Sequence, residues 1–246
     1  PDFFAIHPVE HDAPEEDVLL LDLSFMSQSP EATLHVPGYA AWLEKQDHRR
    51  AYLYLRRLMQ VLLWQRPAQR WVLKSPHHME YLDVVLEVFP EARIIQTHRD
   101  PCKTMASFCS MVAHARGVFS DEVDALEVSR HWLRKARRIT ERTLAVRESQ
   151  GEDRFIDVSY YDLLADPIAE LQRIYAFARI PFTAAIESAA RATMTRNVQH
   201  KYGRHQYRMQ DFGLSAEIIE REFGFYRERF GIRHESGKDA GQGGAA

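Results

Sequence analysis

The sequence predicts a single α/β domain that is built around a parallel sheet and carries additional helices. Residues 70–75 form a short β-prone run that stops at Pro76, and residues 92–99 form a second such run. A helical pattern of apolar residues follows each run. The order strand, helix, strand, helix is typical of parallel sheets. A length of 246 residues suits one such domain.

Further elements are predicted on both sides of this unit. Apolar residues at three- and four-residue spacing predict helices over 16–27, 37–46, 48–64 and 121–149. Alternation over residues 154–160 predicts another strand. Asp100-Pro101 and Asp166-Pro167 each predict a helix start, since Asp is a good N-cap and Pro is favoured at the first helical position.

Composition and charge restrict the functional class. The net charge of only −3 argues against a wholesale nucleic-acid binder, so any anion site must be local. Cys102 and Cys109 have neither metal-ligand spacing nor enough partners for a disulfide framework, which favours a reducing compartment. The opening residues do not read as a signal peptide, and no apolar run reaches the roughly 18 residues of a membrane span. The sequence therefore predicts a cytoplasmic protein without a transmembrane segment.

The two ends of the sequence carry their own expectations. The sequence begins at Pro1 rather than Met, so we expect it to begin inside a longer gene product. Residues 236–246 are rich in Gly and Ala, and we expect them to form a disordered tail.

Polar residues follow two neighbouring predicted strands at their carboxyl ends, where open parallel sheets bind ligands. Lys74 ends the first run and is followed by His77 and His78, while Arg99 ends the second and lies eight residues before Ser107. An Arg beside a capped helix N-terminus is a physical anion site. The simpler alternatives are a solvated Lys and Arg, a Ser that bonds its own helix, and histidines that cap a helix or fill a core.

Other site chemistries have little support. The histidines and cysteines form no His-x3-His or Cys-x2-Cys pattern, and no Gly-x4-Gly-Lys-Ser/Thr motif occurs. The acidic cluster at Glu15, Glu16 and Asp17 is explained by a helix N-terminus.

Two segments resemble the sulfotransferase family that uses 3'-phosphoadenylyl sulfate (PAPS). They are Trp71-Val72-Leu73-Lys74-Ser75-Pro76-His77 and Thr97-His98-Arg99-Asp100-Pro101, and they look closest to a bacterial-type branch with LKSP and HRDP motifs. The resemblance extends from His7 to Tyr226. It implies a P-loop-NTPase-like three-layer sandwich with a parallel sheet and additional helices, and a sulfotransferase domain over residues 1–235. The family's first strand and 5'-phosphosulfate loop have no counterpart in this sequence.

The resemblance also implies roles for individual residues. Arg99 and Ser107 match in type and spacing the pair that binds the 3'-phosphate of PAPS. Lys74 would lie near the transferred sulfuryl group. A basic segment near the C-terminus usually closes over the 3'-phosphate, and here it would be a basic loop with Lys201, Gly203 and Arg204, unless that loop is only surface.

The general base is assigned less directly. In relatives a His just after the corresponding Lys serves as base, which makes His77 the first candidate, although Pro76 makes the spacing one residue longer. His78 and Glu16 are the reserves, because some branches use a Glu.

The predicted function is transfer of a sulfuryl group from PAPS to an acceptor hydroxyl without a metal, with release of adenosine 3',5'-bisphosphate (PAP). The acceptor could be a phenol, sterol, sugar or lipid. Without the phosphosulfate loop, the chain by itself is expected to bind PAPS poorly and to turn over little. Two alternatives stay open: a P-loop-type kinase with Asp100 or Asp157 as Mg²⁺ ligand, and a non-catalytic relative that acts as a binding module.

Overall fold

A pair of parallel strands organises the chain. The structure, a computed structural model, describes residues 14–196 and 207–235. Strand β1 (Ile94–His98) pairs with strand β2 (Phe155–Ser159) in a register that runs from Ile94 opposite Phe155 to His98 opposite Ser159. Both strands therefore end at the same edge of the sheet. Parallel strands need a long crossover connection, and two long helices supply it here.

The helices have the following bounds. Before β1 come α1 (Val18–Asp22), α2 (Ser29–Thr33), α3 (Pro37–Leu43), α4 (Arg49–Gln65), α5 (His77–Glu80) and α6 (Leu82–Val88). Between the strands lie α7 (Pro101–Gly117) and α8 (Ala125–Gln150), and after β2 come α9 (Tyr160–Ala165), α10 (Pro167–Phe177), α11 (Ala184–Arg196) and α12 (Ala216–Phe230). None of the helices in the described ranges is both long and apolar enough to cross a bilayer.

The predicted strand over 70–75 is wrong, although the rest of the α/β pattern is confirmed. These residues belong to no strand, because a strand requires a hydrogen-bonded neighbour and β1 pairs with β2 alone in the described ranges. Other contacts hold the segment. The Arg70 guanidinium donates to the carbonyl oxygens of Ala178 and Arg179, and the Lys74 backbone N–H donates to Asp17. Val72 is 88% exposed.

The predicted helix over 16–27 is also too long. Only Val18–Asp22 is helical, and the chain then turns through Phe25, whose φ of 56° lies in the left-handed region. The predicted starts at Asp100 and Asp166 are confirmed, since each Asp side chain accepts a hydrogen bond from a backbone N–H in the first turn of its helix.

Three apolar clusters form the core. The largest joins α7, α8 and α12 through residues such as Cys109, Trp132 and Ile219. A second packs α4 against α1 and α6. The third joins α6 and α8 to the start of the strands through Leu86 and Phe155.

An ion cluster is buried between α2, α3, α5 and α8. The Lys135 ammonium is 0% exposed and lies 2.8 Å from Glu31, 3.1 Å from Glu80 and 3.5 Å from Glu44. Burial by itself lowers the pKa of Lys135, but the charges of Glu31 and Glu80 outweigh it and raise the pKa above its usual value. Lys135 is therefore charged in the interior and ties four helices together.

Candidate active site

The first group of site residues follows β1 at its carboxyl end. Asp100 accepts a hydrogen bond from the backbone N–H of Cys102 at 2.9 Å and caps α7, and Arg99 stands between this cap and the strand. The Arg99 guanidinium lies over the ring of Tyr160, 4.1 Å from its centroid. Its Nε and Nη2 donate to the two carboxylate oxygens of Glu235 at 2.7 and 3.2 Å. The fork of Arg99 can therefore hold an oxyanion bidentately, and in this structure a carboxylate occupies it.

Two other parts of the predicted 3'-phosphate site are Ser107 and the basic segment near the C-terminus. Ser107 is the seventh residue of this helix and is half-buried. Tyr207 is the first described residue after a gap, and its hydroxyl donates to the Lys103 carbonyl oxygen in the first turn of α7 at 3.4 Å. Tyr207 also interacts electrostatically with Arg99. The predicted basic segment precedes Tyr207, and all of it, including Lys201, Gly203 and Arg204, lies outside the described part of the chain.

The two aspartates that were the candidate Mg²⁺ ligands of a kinase both accept hydrogen bonds from protein donors. Asp100 accepts from Arg227 at 2.9 Å and from the backbone N–H of Glu235 at 2.7 Å, and Asp157 accepts from Arg147 at 2.6 and 2.8 Å. Burial alone would raise the pKa of each carboxyl group, but hydrogen bonds from their partners lower both pKa values. These carboxylates hold the fold together and face cations of the protein itself.

The second group of residues joins the start of the described chain to the segment 70–75. The Lys74 ammonium forms an ion pair with the Glu16 carboxylate. The Lys74 side chain is 72% exposed and that of Glu16 is 21% exposed, so a ligand could reach both. The two groups are opposite in charge and adjacent, so a proton acceptor and a cation lie side by side where a ligand could contact both.

His77 has a different environment. It is fully buried and packs among the rings of His48, Tyr52 and Tyr81. Neither ring nitrogen has a hydrogen-bond partner within the described ranges. Burial, and then the neighbouring His48, lower the pKa of His77 far below its usual value. A general base must reach the proton that it abstracts, so this placement favours Glu16 over His77.

Comparisons with known proteins show the family of the chain. A family model described as "Sulfotransferase family" matches residues 1–184. The chain belongs to the sulfotransferase family. The crystal structure of sulfotransferase STF9 from Mycobacterium avium superposes with a TM-score of 0.85 at 32% identity, over 93% of this chain and 59% of that one. Sulfotransferase STF1 from Mycobacterium tuberculosis superposes with a TM-score of 0.74 at 34% identity, over 86% of this chain and 55% of that one.

A curated relative extends the comparison. The omega-hydroxy-beta-dihydromenaquinone-9 sulfotransferase Stf3 of Mycobacterium bovis is 31% identical over 109 residues, which are 42% of this chain and 27% of the relative. The chain therefore spans well under two thirds of the lengths of these relatives. The superpositions also confirm the predicted P-loop-like α/β sulfotransferase fold.

Sequence reasoning missed two contacts of Arg99 that the structure reveals. Tyr160 directly follows β2, and the register that places His98 opposite Ser159 also places Arg99 beside Tyr160. The predicted strand over 154–160 therefore contained the information needed to predict the contact between Arg99 and Tyr160. No sequence feature indicated the contact with Glu235, because Glu235 lies 136 residues from Arg99 in the sequence.

Proposed function

We propose that this chain carries the 3'-phosphate site and the transfer site of a PAPS-dependent sulfotransferase. The observation that carries the proposal is the Arg99 fork at the carboxyl end of β1, beside the capped start of α7 and already matched to an oxyanion by Glu235. In the proposal the 3'-phosphate displaces the Glu235 carboxylate. Ser107 then contributes its hydroxyl from α7, and the basic segment that precedes Tyr207 supplies Lys201, Gly203 and Arg204.

The transfer step uses the Glu16–Lys74 pair. The acceptor oxygen attacks sulfur in line with the departing phosphate, so an O–S bond forms while the bond from sulfur to the bridging oxygen breaks. Glu16 takes the acceptor proton, and the Lys74 ammonium neutralises the charge on the leaving bridging oxygen of PAP. Glu16 replaces His77, the first candidate from the sequence, as the proposed base, because Glu16 is accessible and next to Lys74.

The acceptor in this proposal is a hydroxyl on a small molecule or lipid. The name of the curated relative specifies a hydroxyl on a dihydromenaquinone, which is a lipid. A lipid alcohol is therefore the first acceptor class to test with the protein that carries this chain.

Glu16→Gln tests the proposed base. We expect kcat to fall by about 10²–10⁴-fold, the usual contribution of a general base, with PAP affinity unchanged within about twofold. Glu15→Gln is the matched control, since Glu15 is the exposed neighbour and makes only a local contact to the Glu16 backbone. A loss in Glu16→Gln that is no larger than the loss in Glu15→Gln would remove Glu16 from the mechanism.

Two further measurements separate the alternative functions. Transfer that persists in EDTA supports sulfuryl transfer over a Mg²⁺-dependent kinase reaction. Calorimetric titration with PAP tests the donor site, and Arg99→Ala should abolish the binding. If PAP does not bind the protein that carries this chain, the catalytic proposal fails and a non-catalytic binding module is the better reading.

A further inference from the structure

A line of hydrogen bonds connects the transfer site to the core. One carboxylate oxygen of Asp17 accepts from the backbone N–H of Lys74 at 2.8 Å, and the other is 2.8 Å from Nε2 of His78. Nδ1 of His78 is in turn 2.9 Å from the hydroxyl of Tyr52. Asp17 is buried, His78 is mostly buried and Tyr52 is fully buried. Every polar atom along this line has a partner.

The hydrogen-bond partners restrict where the protons lie along this line. A carboxylate only accepts, so Nε2 of His78 carries the hydrogen that is donated to Asp17. In the neutral imidazole, Nδ1 of His78 then accepts from the Tyr52 hydroxyl. Burial, and then the charge of Asp17, raise the pKa of Tyr52 well above its usual value, so this hydroxyl keeps its proton. The histidine is thereby held in one tautomer and one orientation.

This line of hydrogen bonds matters because neither Glu16 nor Lys74 lies on a helix or a strand. Glu16 precedes the first turn of α1, and Lys74 lies in the segment 70–75, which has no strand partner in the described ranges. Asp17 is the sequence neighbour of Glu16 and the hydrogen-bond partner of the Lys74 backbone. Tyr52, at the other end of the line, belongs to the core cluster of α4. The line therefore links two irregular segments to a rigid helix.

We propose that Asp17, His78 and Tyr52 are positioning residues that hold the Glu16 carboxylate against the Lys74 ammonium. This proposal rests on the proposed function, in which that pair performs the proton transfer and the charge neutralisation. The three residues do not touch the reacting atoms. They act by fixing the backbone on both sides of the pair, where a displacement of about 1 Å can cost on the order of 10²-fold in rate.

The first test does not depend on activity. Asp17→Asn leaves one acceptor oxygen for two partners, so either His78 takes the tautomer with hydrogen on Nδ1, which ¹⁵N NMR of the imidazole ring reports, or the Lys74 amide loses its acceptor. Tyr52→Phe removes the donor to Nδ1. We expect Asp17→Asn to accelerate hydrogen exchange at the Lys74 amide by at least about tenfold, because the amide loses the charge-assisted bond. The controls are Asp47→Asn and Tyr54→Phe, which change exposed residues of the same types.

The second test uses a double-mutant cycle. Asp17→Asn alone should lower kcat by at least about tenfold, with KM for PAPS unchanged within about twofold. In a Glu16→Gln background the same substitution should lower kcat by less than about twofold. The residue through which Asp17 acts is already inactive in that background. A merely structural role would give an equal loss in both backgrounds.

The outcomes separate the two proposals. An equal loss in both backgrounds, or unchanged His78 shifts and Lys74 exchange in Asp17→Asn, overturns the positioning role. Full activity of Glu16→Gln refutes Glu16 as the base, which is a failure of the proposed function. In that case, the NMR and exchange measurements decide whether the line holds the Lys74 segment in place.

Discussion

Glu235 competes with the donor for Arg99, and this competition can be measured. Glu235→Gln removes the carboxylate charge from the guanidinium fork but keeps an oxygen that can accept from Tyr161. The side chains of Arg99 and Glu235 are 36% and 20% exposed, so solvent weakens their ion pair. Partly exposed pairs contribute up to about 1 kcal/mol, and the bidentate geometry favours the upper end of that range. Because 1.4 kcal/mol is a tenfold change in affinity, about 1 kcal/mol corresponds to about fivefold tighter PAP binding.

Isothermal titration calorimetry with PAP tests this expectation at fixed ionic strength, since long-range charge effects depend on salt. Glu228→Gln is the matched control, because it removes the same charge from an exposed position on α12. If Glu235→Gln binds PAP no more tightly than Glu228→Gln, the Arg99 fork is not the phosphate site or Glu235 does not obstruct it, and the argument fails.

Three further predictions concern stability and reactivity. Lys135→Met removes the central cation from Glu31, Glu44 and Glu80, which keep only their partners on one side, and should lower the free energy of unfolding in urea by about 1–3 kcal/mol, whereas Lys45→Met at an exposed position should change it little, and equal effects would contradict the ion cluster. His77 stays neutral in the folded state but binds a proton below about pH 6.5 when unfolded, so stability should fall as pH drops below that value. His77→Phe should flatten this slope by up to about 1.4 kcal/mol per pH unit, while His234→Gln should not, and parallel profiles would refute the assignment. Burial raises the pKa of the Cys109 thiol to about 12, so this thiol should resist alkylation at pH 8 until urea unfolds the protein, and rapid labelling of the native state would contradict this placement.

Much of the fold was predictable because its signals are local. Asp100-Pro101 predicts the start of α7 from capping chemistry alone, and the structure confirms the cap. Alternation over 154–160 predicts β2, which spans Phe155–Ser159. The segment 70–75 has the same β-prone composition, yet it forms no strand. A strand depends on a neighbour for its hydrogen bonds, and no local signal reports whether that neighbour is present.

The candidate site also has one part that the sequence determined and another that only the tertiary structure decided. The sequence itself determined that Arg99 follows a strand and precedes a capped helix, which makes an anion site from neighbours in the chain. The tertiary structure decided that Glu235 occupies the fork, that His77 is enclosed while Glu16 meets Lys74, and that Asp17 joins the two segments. Each of these depends on contacts between residues 57 or more positions apart or, for His77, on packing against side chains from other parts of the helical layer. Side chains so far apart in sequence meet only after the helices have packed, so the identity of a residue shows what it can bind but not what it touches.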